Sequence, residues 1–224
     1  MDAAFYSRSE LSPEEMAESD RVYGGLTQAV RELADAQLRT EVAYDDVEQV
    51  TAEIRALTQR LLTKARPGAF GVQLSQGGGV RNHGNAVVGL RNPNAVALGD
   101  SRIVWSEKGA STSLHLNGLY EGPPGCVHGG VLALLLDQLF GEAAAAAGAP
   151  GMTGRLTLSY RRPTPLGDIS MAAWLEQTDG VKTTIKGHLK DAEGNVTVEA
   201  EGLFILPRWA RESGGWPNRP PTFE

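Results

Sequence analysis

The sequence predicts an α+β protein in which an antiparallel sheet covers one buried helix, preceded by an acidic helical segment. Residues 129–147 form an apolar, helix-like stretch, with two alternating apolar and polar segments before it and four after it. The links between these strands are short, so parallel pairing is excluded and the sheet must be antiparallel. A helix that is apolar nearly all round must be wrapped by that sheet.

Residues 1–65 are interpreted as an acidic helical N-terminal extension. They hold 13 acidic and 7 basic residues, whereas residues 66–224 hold 14 of each, so this segment carries the whole net charge of −6. Ser12-Pro13-Glu14-Glu15 has the pattern of a capping box with proline at the first helical position. A second helix is predicted by apolar residues spaced three and four apart, and we expect it to pack on its own chain or on a sister subunit. These residues are Val47, Val50, Ile54, Leu57 and Leu61.

Residues 66–100 are predicted to be a glycine-rich connector without regular elements. They contain eight glycines together with Arg66-Pro67 and Asn92-Pro93. The run Gly77-Gly78-Gly79 is not followed by Gly-Lys-Ser/Thr, which excludes a phosphate-binding P-loop.

Residues 101–207 are predicted to form the sheet and its helix, and residues 208–224 a C-terminal tail. A hairpin is indicated around Glu107-Lys108-Gly109, where alternating apolar residues lie on both sides. Turn signals at Asp179-Gly180 and Asp191–Gly194 separate the last three strands. The four strands after the helix are expected at 153–162, 169–178, 181–190 and 195–206.

Composition and charge exclude several classes of structure and function. With 41% hydrophobic and 21% charged residues, the chain can build a substantial core and remain soluble. A single cysteine excludes an intramolecular disulfide and favours a reducing, cytoplasmic location; no signal peptide is expected. The apolar helix is interrupted by Asp137, Gln138 and Glu142, so no membrane span is expected. The neutral body gives no reason to expect nucleic-acid binding.

The strongest candidate site is Tyr120-Glu-Gly-Pro-Pro-Gly-Cys-Val-His-Gly-Gly130 with the helix behind it. The two glycines that open this helix leave backbone N–H groups free for a carbonyl oxygen that becomes negative during reaction. Asp137 is the only acid between Gly129 and Gln138 and lies among leucines. A carboxylate in apolar surroundings is costly unless it is paired or used, so the pattern indicates a hydrolase site.

Helical geometry separates the two halves of this site. Asp137 follows His128 by nine residues, which places the two about 180° apart around one helix and about 13.5 Å along it. Either one of them is structural, or Asp137 completes a site begun by another chain's His-Gly-Gly turn. We favour the second interpretation, because a twofold dimer supplies such a partner and makes two equivalent sites.

The Tyr120–Gly130 motif and Met152-Thr-Gly-Arg-Leu-Thr-Leu-Ser-Tyr-Arg-Arg-Pro163 resemble the PaaI-like branch of the hotdog-fold acyl-CoA thioesterases, over residues 90–207. The resemblance implies a curved antiparallel sheet around one long helix, a homodimer or homotetramer with sites at the interface, and acyl-CoA as substrate. It implies no metal and no cofactor, since coenzyme A is part of the substrate. Many relatives have Asn where this chain has Gly122.

The same resemblance assigns roles to individual residues. Asp137 would be the general base or the nucleophile, and Gly129 would donate its N–H to the thioester oxygen. His128 would orient the turn or polarise the carbonyl, and Thr153 would hold the water or the acid. The implied substrate-binding residues are Gly130, Arg161 and Arg162, the arginines contacting coenzyme A phosphates.

Each assignment has a structural alternative. His128 could simply cap a turn, Asp137 could form an ion pair across an interface, and Arg161 and Arg162 could be solvated strand-end residues. Cys126 is interpreted as small buried filler rather than a nucleophile. Histidines without metal-ligand spacing are expected at the surface or in loops. They are His83, His115 and His188.

Three functions follow from this sequence. The leading one is hydrolysis of acyl-CoA to a free acid and coenzyme A. The second is a non-catalytic acyl-CoA-binding or sensing protein on the same fold, since fold alone does not guarantee activity. The third, a hydratase or dehydratase, would need a different arrangement of acid and histidine. The N-terminal helices could in addition serve assembly.

Overall fold

A computed structural model describes residues 6–68, 71–76, 80–96 and 103–212 of the 224-residue chain. The described residues divide into two compact units. The first comprises residues 6–68, 71–76, 80–85 and 89–93, and the second residues 86–88, 94–96 and 103–212.

The first unit contains two helices and a small sheet. Helix α1 begins with the predicted capping box, because the Ser12 hydroxyl accepts from Glu15 N at 3.2 Å and the Glu15 carboxylate accepts from Ser12 N at 2.8 Å. The predicted second helix is present as α2, and none of its residues is buried. The elements are β1 (Tyr6–Arg8), α1 (Pro13–Arg39), α2 (Tyr44–Leu62), β2 (Val72–Leu74) and β3 (Val80–Asn82).

The small sheet corrects one prediction. β2 pairs with β1 in parallel and with β3 in antiparallel orientation. Both β2 and β3 lie within residues 66–100, so the interpretation of that stretch as a connector without regular elements is wrong. A strand of three residues is too short to show an alternating pattern, and the surrounding glycines favoured the prediction of a loop.

The second unit is the predicted sheet and helix. Six strands lie in the order β4-β5-β7-β8-β9-β6, and every neighbouring pair is antiparallel. The antiparallel prediction is therefore confirmed, including the hairpin of β4 and β5. The elements are β4 (Val104–Ser106), β5 (Gly109–Leu116), α3 (Gly129–Ala146), β6 (Met152–Tyr160), β7 (Gly167–Asp179), β8 (Lys182–Lys190), β9 (Val196–Ile205) and α4 (Arg208–Glu212).

Helix α3 packs against one face of this sheet. Its fully buried side chains meet those of the central strands in one continuous core. Gly187 on β8 allows the Phe140 ring of α3 to lie directly against the sheet, because a Cβ at this position would lie 2.6 Å from that ring. The buried α3 residues are Leu132, Leu135, Leu136, Leu139, Phe140, Ala143, Ala144 and Ala146.

Among the described helices, α3 alone is long and apolar enough to cross a membrane by length and composition. The buried core helix of a globular protein passes the same test, and α3 lies in the core. The length criterion therefore gives only weak support for a membrane span.

One face of α3 is left uncovered by the sheet. Leu134 on this face is 43% exposed, and Gly130 is exposed as well. Asp137, Gln138 and Gly141 continue the face at helical spacing and are half-buried. The open face leads directly along the helix from its first turn to the acid.

Candidate active site

The turn that precedes α3 is held by its own backbone hydrogen bonds. His128 N donates to Tyr120 O and Gly122 N to Cys126 O, both at 2.9 Å. The Glu121 carboxylate accepts from Gly125 N at 2.6 Å and closes the turn from the side. Glu121 was not predicted as a site residue, although an acid four residues before a glycine in a Pro-Pro-Gly turn is a suitable acceptor for the N–H of that glycine.

His128 is the N-cap of α3. Its backbone is extended, with φ −61° and ψ 130°, and its Nδ1 accepts from Gly130 N at 3.0 Å. An accepting Nδ1 fixes the neutral tautomer with the proton on Nε2. This is the capping alternative for His128, and it also satisfies one of the free N–H groups of the first turn.

The Gly129 N–H remains open. Among the described residues no acceptor binds it, because a helix supplies no carbonyl for the N–H of its first residue. The His128 Nδ1 is not available either, since it accepts from the Gly130 N–H. The Tyr160 hydroxyl donates to the Gly129 carbonyl at 2.8 Å and covers the glycine from β6. Tyr160 was predicted only as a strand residue, because a tyrosine at a strand end gives no signal of this contact.

Asp137 lies on the uncovered face of α3, and Thr153 on β6 holds it. The Thr153 hydroxyl donates to Asp137 Oδ1 at 2.7 Å. The expectation that Asp137 is embedded among apolar side chains is wrong for the single chain. Leu135, Leu136 and Leu139 are buried in the core, whereas Asp137 lies half-buried on the uncovered face. Within residues 103–212, no lysine, arginine or histidine pairs with it.

The proposed donor and the acid lie far apart in one chain. Helix α3 runs without interruption from Gly129 to Ala146, and Gly129 and Asp137 are eight residues apart. At 1.5 Å per residue, this separation is about 12 Å along the axis. One small thioester group cannot contact the Gly129 N–H and the Asp137 carboxylate of the same chain.

Strand β6 brings candidate site residues to an edge of the sheet. Among the described strands it pairs only with β9, and most of its residues are exposed. A register irregularity between Thr153 and Arg155 lies directly beside the Asp137 contact. Bulges of this kind re-aim side chains next to active sites. The edge, the bulge and the Thr153–Asp137 contact are thus adjacent.

The two arginines of the second motif differ in their contacts. Arg161 forms an exposed ion pair with Glu199, with its Nε and the Glu199 Oε2 2.8 Å apart. Arg162 is exposed and makes no side-chain hydrogen bond within the described residues. The charge of Arg162 acts on Asp191, but unlike Arg161 it forms no close ion pair in the described part of the chain that a phosphate would have to break.

The histidines lie in three different environments. His115 is exposed and bonds Asp168 at 2.7 Å, whereas His188 on β8 is half-buried against Trp174. Burial lowers the pKa of His188, with the Lys190 charge acting in the same direction. His83 lies in the turn after β3, so the loop alternative holds for it, but it is only 2% exposed and does not lie at the surface. No cluster of three or more His, Cys, Asp or Glu suited to a metal ion occurs in the part of the chain that the structure describes.

Comparisons with known proteins identify the family. A model of the thioesterase superfamily matches residues 124–198, which include the second half of the turn from Pro124, α3 and Thr153. The crystal structure of a thioesterase superfamily protein has 33% sequence identity to this chain and a TM-score of 0.72, over 90% of this chain and 98% of its own. This chain belongs to the thioesterase superfamily. The predicted hotdog fold and family resemblance are confirmed.

Two curated relatives match a shorter part of this thioesterase superfamily member. Acyl-coenzyme A thioesterase THEM4 of Xenopus laevis is 33% identical over 87 residues, which are 38% of this chain and 39% of the relative. The same enzyme of Mus musculus is 33% identical over 98 residues, 42% of each chain. The chain thus spans about two fifths of the length of these relatives.

Proposed function

We propose that this protein is an acyl-CoA thioesterase that hydrolyses acyl-CoA to a free carboxylic acid and coenzyme A at a site shared by two subunits. The observation that carries the proposal is the position of the two groups on α3. The Gly129 N–H is open at the start of the helix, and the Asp137 carboxylate is held by Thr153 about 12 Å along it. Antiparallel helices of two subunits would bring the Gly129 of one beside the Asp137 of the other.

In this reaction, the thioester carbonyl oxygen accepts a hydrogen bond from the Gly129 N–H, and the N-terminal end of the helix dipole favours the negative charge that develops there. Asp137 takes a proton from water as the water oxygen bonds to the carbonyl carbon. The carbon–sulfur bond then breaks, and the proton passes to the coenzyme A sulfur. Every bond that changes belongs to the water, the thioester or the proton carried by the carboxylate, and the amide only donates a hydrogen bond. The proposed reaction therefore requires no metal or redox cofactor.

Asp137 could instead attack the carbonyl carbon and form an anhydride with the acyl group, which water then cleaves. A single turnover in ¹⁸O-water detects the anhydride route when water attacks the side-chain carbon. Label in Asp137 shows that an anhydride formed, whereas label only in the released acid fits both general-base catalysis and attack of water on the acyl carbon of an anhydride. Mass spectrometry of the Asp137 peptide reads the result.

The open edge of β6 supports a shared site. A nine-residue exposed strand with unpaired backbone groups invites pairing with a second copy. Because Thr153 and Tyr160 lie on this strand, a twofold partner at the edge would stand next to both ends of the site. The cytoplasm is the proposed location, on the same single-cysteine argument as above.

A panel of acyl-CoAs with thiol release as the readout tests the activity. We expect Asp137→Asn to lower kcat/KM by about 10²–10⁴-fold, the usual contribution of a general base. Glu142→Gln is the matched control, since Glu142 is a half-buried acid on α3 that bonds Trp105 and Gln138 and has no role in the reaction. Thiol release that is equal in wild type and Asp137→Asn would refute the mechanism. Acyl-CoA binding by calorimetry without any thiol release would favour the sensing alternative.

Proline at position 129 isolates the oxyanion donor. Gly129→Pro removes the N–H, and proline is favoured at the first position of a helix, while His128 already has the extended backbone that must precede a proline. Gly129→Ala keeps the N–H and adds a Cβ in tight contact with the Tyr160 ring. We expect the proline variant to lose about 10²-fold or more in kcat and the alanine variant much less.

Mixing two inactive variants tests whether the site is shared. After subunit exchange, a dimer of one Asp137→Asn chain and one Gly129→Pro chain has one site with both groups intact. With random exchange, about one quarter of the wild-type activity should return. No recovery, with exchange shown by native mass spectrometry, would place both groups in one subunit and overturn the shared site.

A further inference from the structure

Helix α2 presents an uncovered apolar stripe. Its five members are between 36% and 57% exposed, and the helix has no buried residue. No helix or strand of its unit packs along it among the described elements. Most of the stability of a helix in a protein comes from packing of its apolar face rather than from propensity, so this 19-residue helix would be stabilised by a partner that covers the stripe. The stripe consists of Val47, Val50, Ile54, Leu57 and Leu61.

The spacing of the stripe is that of a coiled coil. The steps between its members are three, four, three and four residues, which places Val47, Ile54 and Leu61 at one core position of a heptad and Val50 and Leu57 at the other. A 3.5-residue repeat keeps such a stripe facing a single partner helix, whereas packing onto a broad protein surface uses a wider apolar face.

The charges beside the stripe select the partner and its direction. One flank carries Asp46 and Glu53 toward the N-terminal end and Arg60 toward the C-terminal end, and the other flank carries Thr51 and Thr58. In a parallel pair, acidic residues would face threonines and the acidic N-termini would lie side by side. In an antiparallel pair, each Arg60 can lie beside Glu53 of the other helix, and the helix dipoles oppose each other favourably.

We propose that α2 binds α2 of a second copy of this chain as an antiparallel two-stranded coiled coil. In the alignment that places Glu53 beside Arg60 of the other helix at both ends, Ile54 lies opposite Leu57, and Val50 lies opposite Leu61. This alignment puts no acid against an acid on the charged flank. The self-complementary flank is what makes a second copy the occupant, because one surface supplies both the acids and the base.

Cysteine cross-linking in the full chain tests this pairing. In a Cys126→Ser background, Val50→Cys and Leu61→Cys are prepared separately, mixed, oxidised mildly and run on a non-reducing gel. We expect the mixture to give at least ten times more cross-linked dimer than either variant alone. Two Val50 positions lie 11 residues apart in the antiparallel pair, about 16 Å along the axis, which is beyond the reach of a disulfide.

A matched pair on the opposite face controls for random collision. In the proposed pair, residues 52 and 59 of the two helices lie level with each other along the axis, as residues 50 and 61 do, but on the side away from the stripe. A mixture of Ala52→Cys and Gln59→Cys should therefore remain monomeric on the gel. Self-linking of Val50→Cys would show a parallel pair and overturn the proposal. The absence of a cross-link in the Val50→Cys and Leu61→Cys mixture would overturn it too. Neither readout depends on catalytic activity.

Discussion

The Thr153 hydroxyl donates a hydrogen bond to the Asp137 carboxylate at 2.7 Å and so ties the edge strand β6 to the third turn of helix α3. The bond lies beside the irregularity in β6, where the strand shifts register against β9. The orientation of the acid is therefore set by a strand whose other edge is open. Any partner that pairs with this edge would act directly on the position of the proposed base.

Replacement of Thr153 by valine should lower the hydrolysis rate without changing the fold. The variant keeps the β-branched shape but removes the donor, so one oxygen of Asp137 loses its partner and the carboxylate can rotate. A hydrogen bond to a charged group is worth about 1.5–3 kcal/mol, so we expect kcat to fall by about 10-fold or more. Thiol-release kinetics measure the change.

Two further variants show whether the Thr153 effect is specific. Thr153→Ser retains the hydroxyl and should recover most of the rate. Thr157→Val makes the same replacement at another exposed position of β6 and should leave kcat unchanged. If Thr153→Val and Thr157→Val have equal rates, Thr153 has no part in positioning the acid.

Replacement of Tyr160 by phenylalanine should lower kcat while leaving KM and the melting temperature nearly unchanged. The ring stays over Gly129, but the hydrogen bond to the Gly129 carbonyl is lost. That bond holds the first turn of α3, whose N–H is the proposed oxyanion donor. A neutral hydrogen bond contributes about 1 kcal/mol, which corresponds to a fall of about five-fold. A rise in KM at constant kcat would instead make Tyr160 a binding residue.

Alanine at position 122 should distort the turn before α3. A Cβ on Gly122 would lie 2.7 Å from His128 Cα, closer than real Cβ contacts, and the obstacle is backbone that cannot rotate away. We expect a loss of about 1–3 kcal/mol in the free energy of unfolding and at least a ten-fold loss of activity. Gly84→Ala is the control, because its Cβ would meet open space. Thermal melting and thiol release report both effects, and a Gly122→Ala protein identical to wild type would contradict the geometry.

The sequence was sufficient for the main sheet and its helix because their patterns are long. Strands such as β7 and β8 run for 13 and 9 residues, enough for alternation and turn residues to agree. The strands β2 and β3 have three residues each, and no periodicity can be read from so few. Their pairing depends on contacts between residues far apart in sequence.

The candidate site could be predicted only in part. The glycines that open α3 carry a local signal, since helix starts have known chemistry. The Tyr160–Gly129 contact joins residues 31 positions apart, and nothing local indicates it. The leucines around Asp137 in sequence indicated an apolar environment, but on a helix the neighbours in sequence point in different directions. The burial of Asp137 depends on which face of the helix packs against the sheet, and the apolar composition around it does not determine this.

His83 follows β3 in the first unit and is only 2% exposed. Its Nε2 lies 3.2 Å from Gln73 Oε1, and the charged groups that act on it are Arg91 and Arg81. Burial lowers the pKa of His83 from 6.5 to about 4, and the two arginines act in the same direction. The folded protein therefore keeps His83 neutral at a pH at which the unfolded chain protonates it.

This difference predicts a loss of stability in mild acid. Between about pH 6.5 and pH 4 the unfolded state binds one more proton at His83 than the folded state, so the free energy of unfolding falls as the pH falls. At about 1.4 kcal/mol for each pH unit between the two pKa values, we expect a loss of about 2 kcal/mol from pH 7.5 to pH 5. Urea unfolding followed by circular dichroism measures it. His83→Gln should remove this part of the pH dependence, whereas the exposed His115→Gln should not; an unchanged slope in His83→Gln would show that another group titrates.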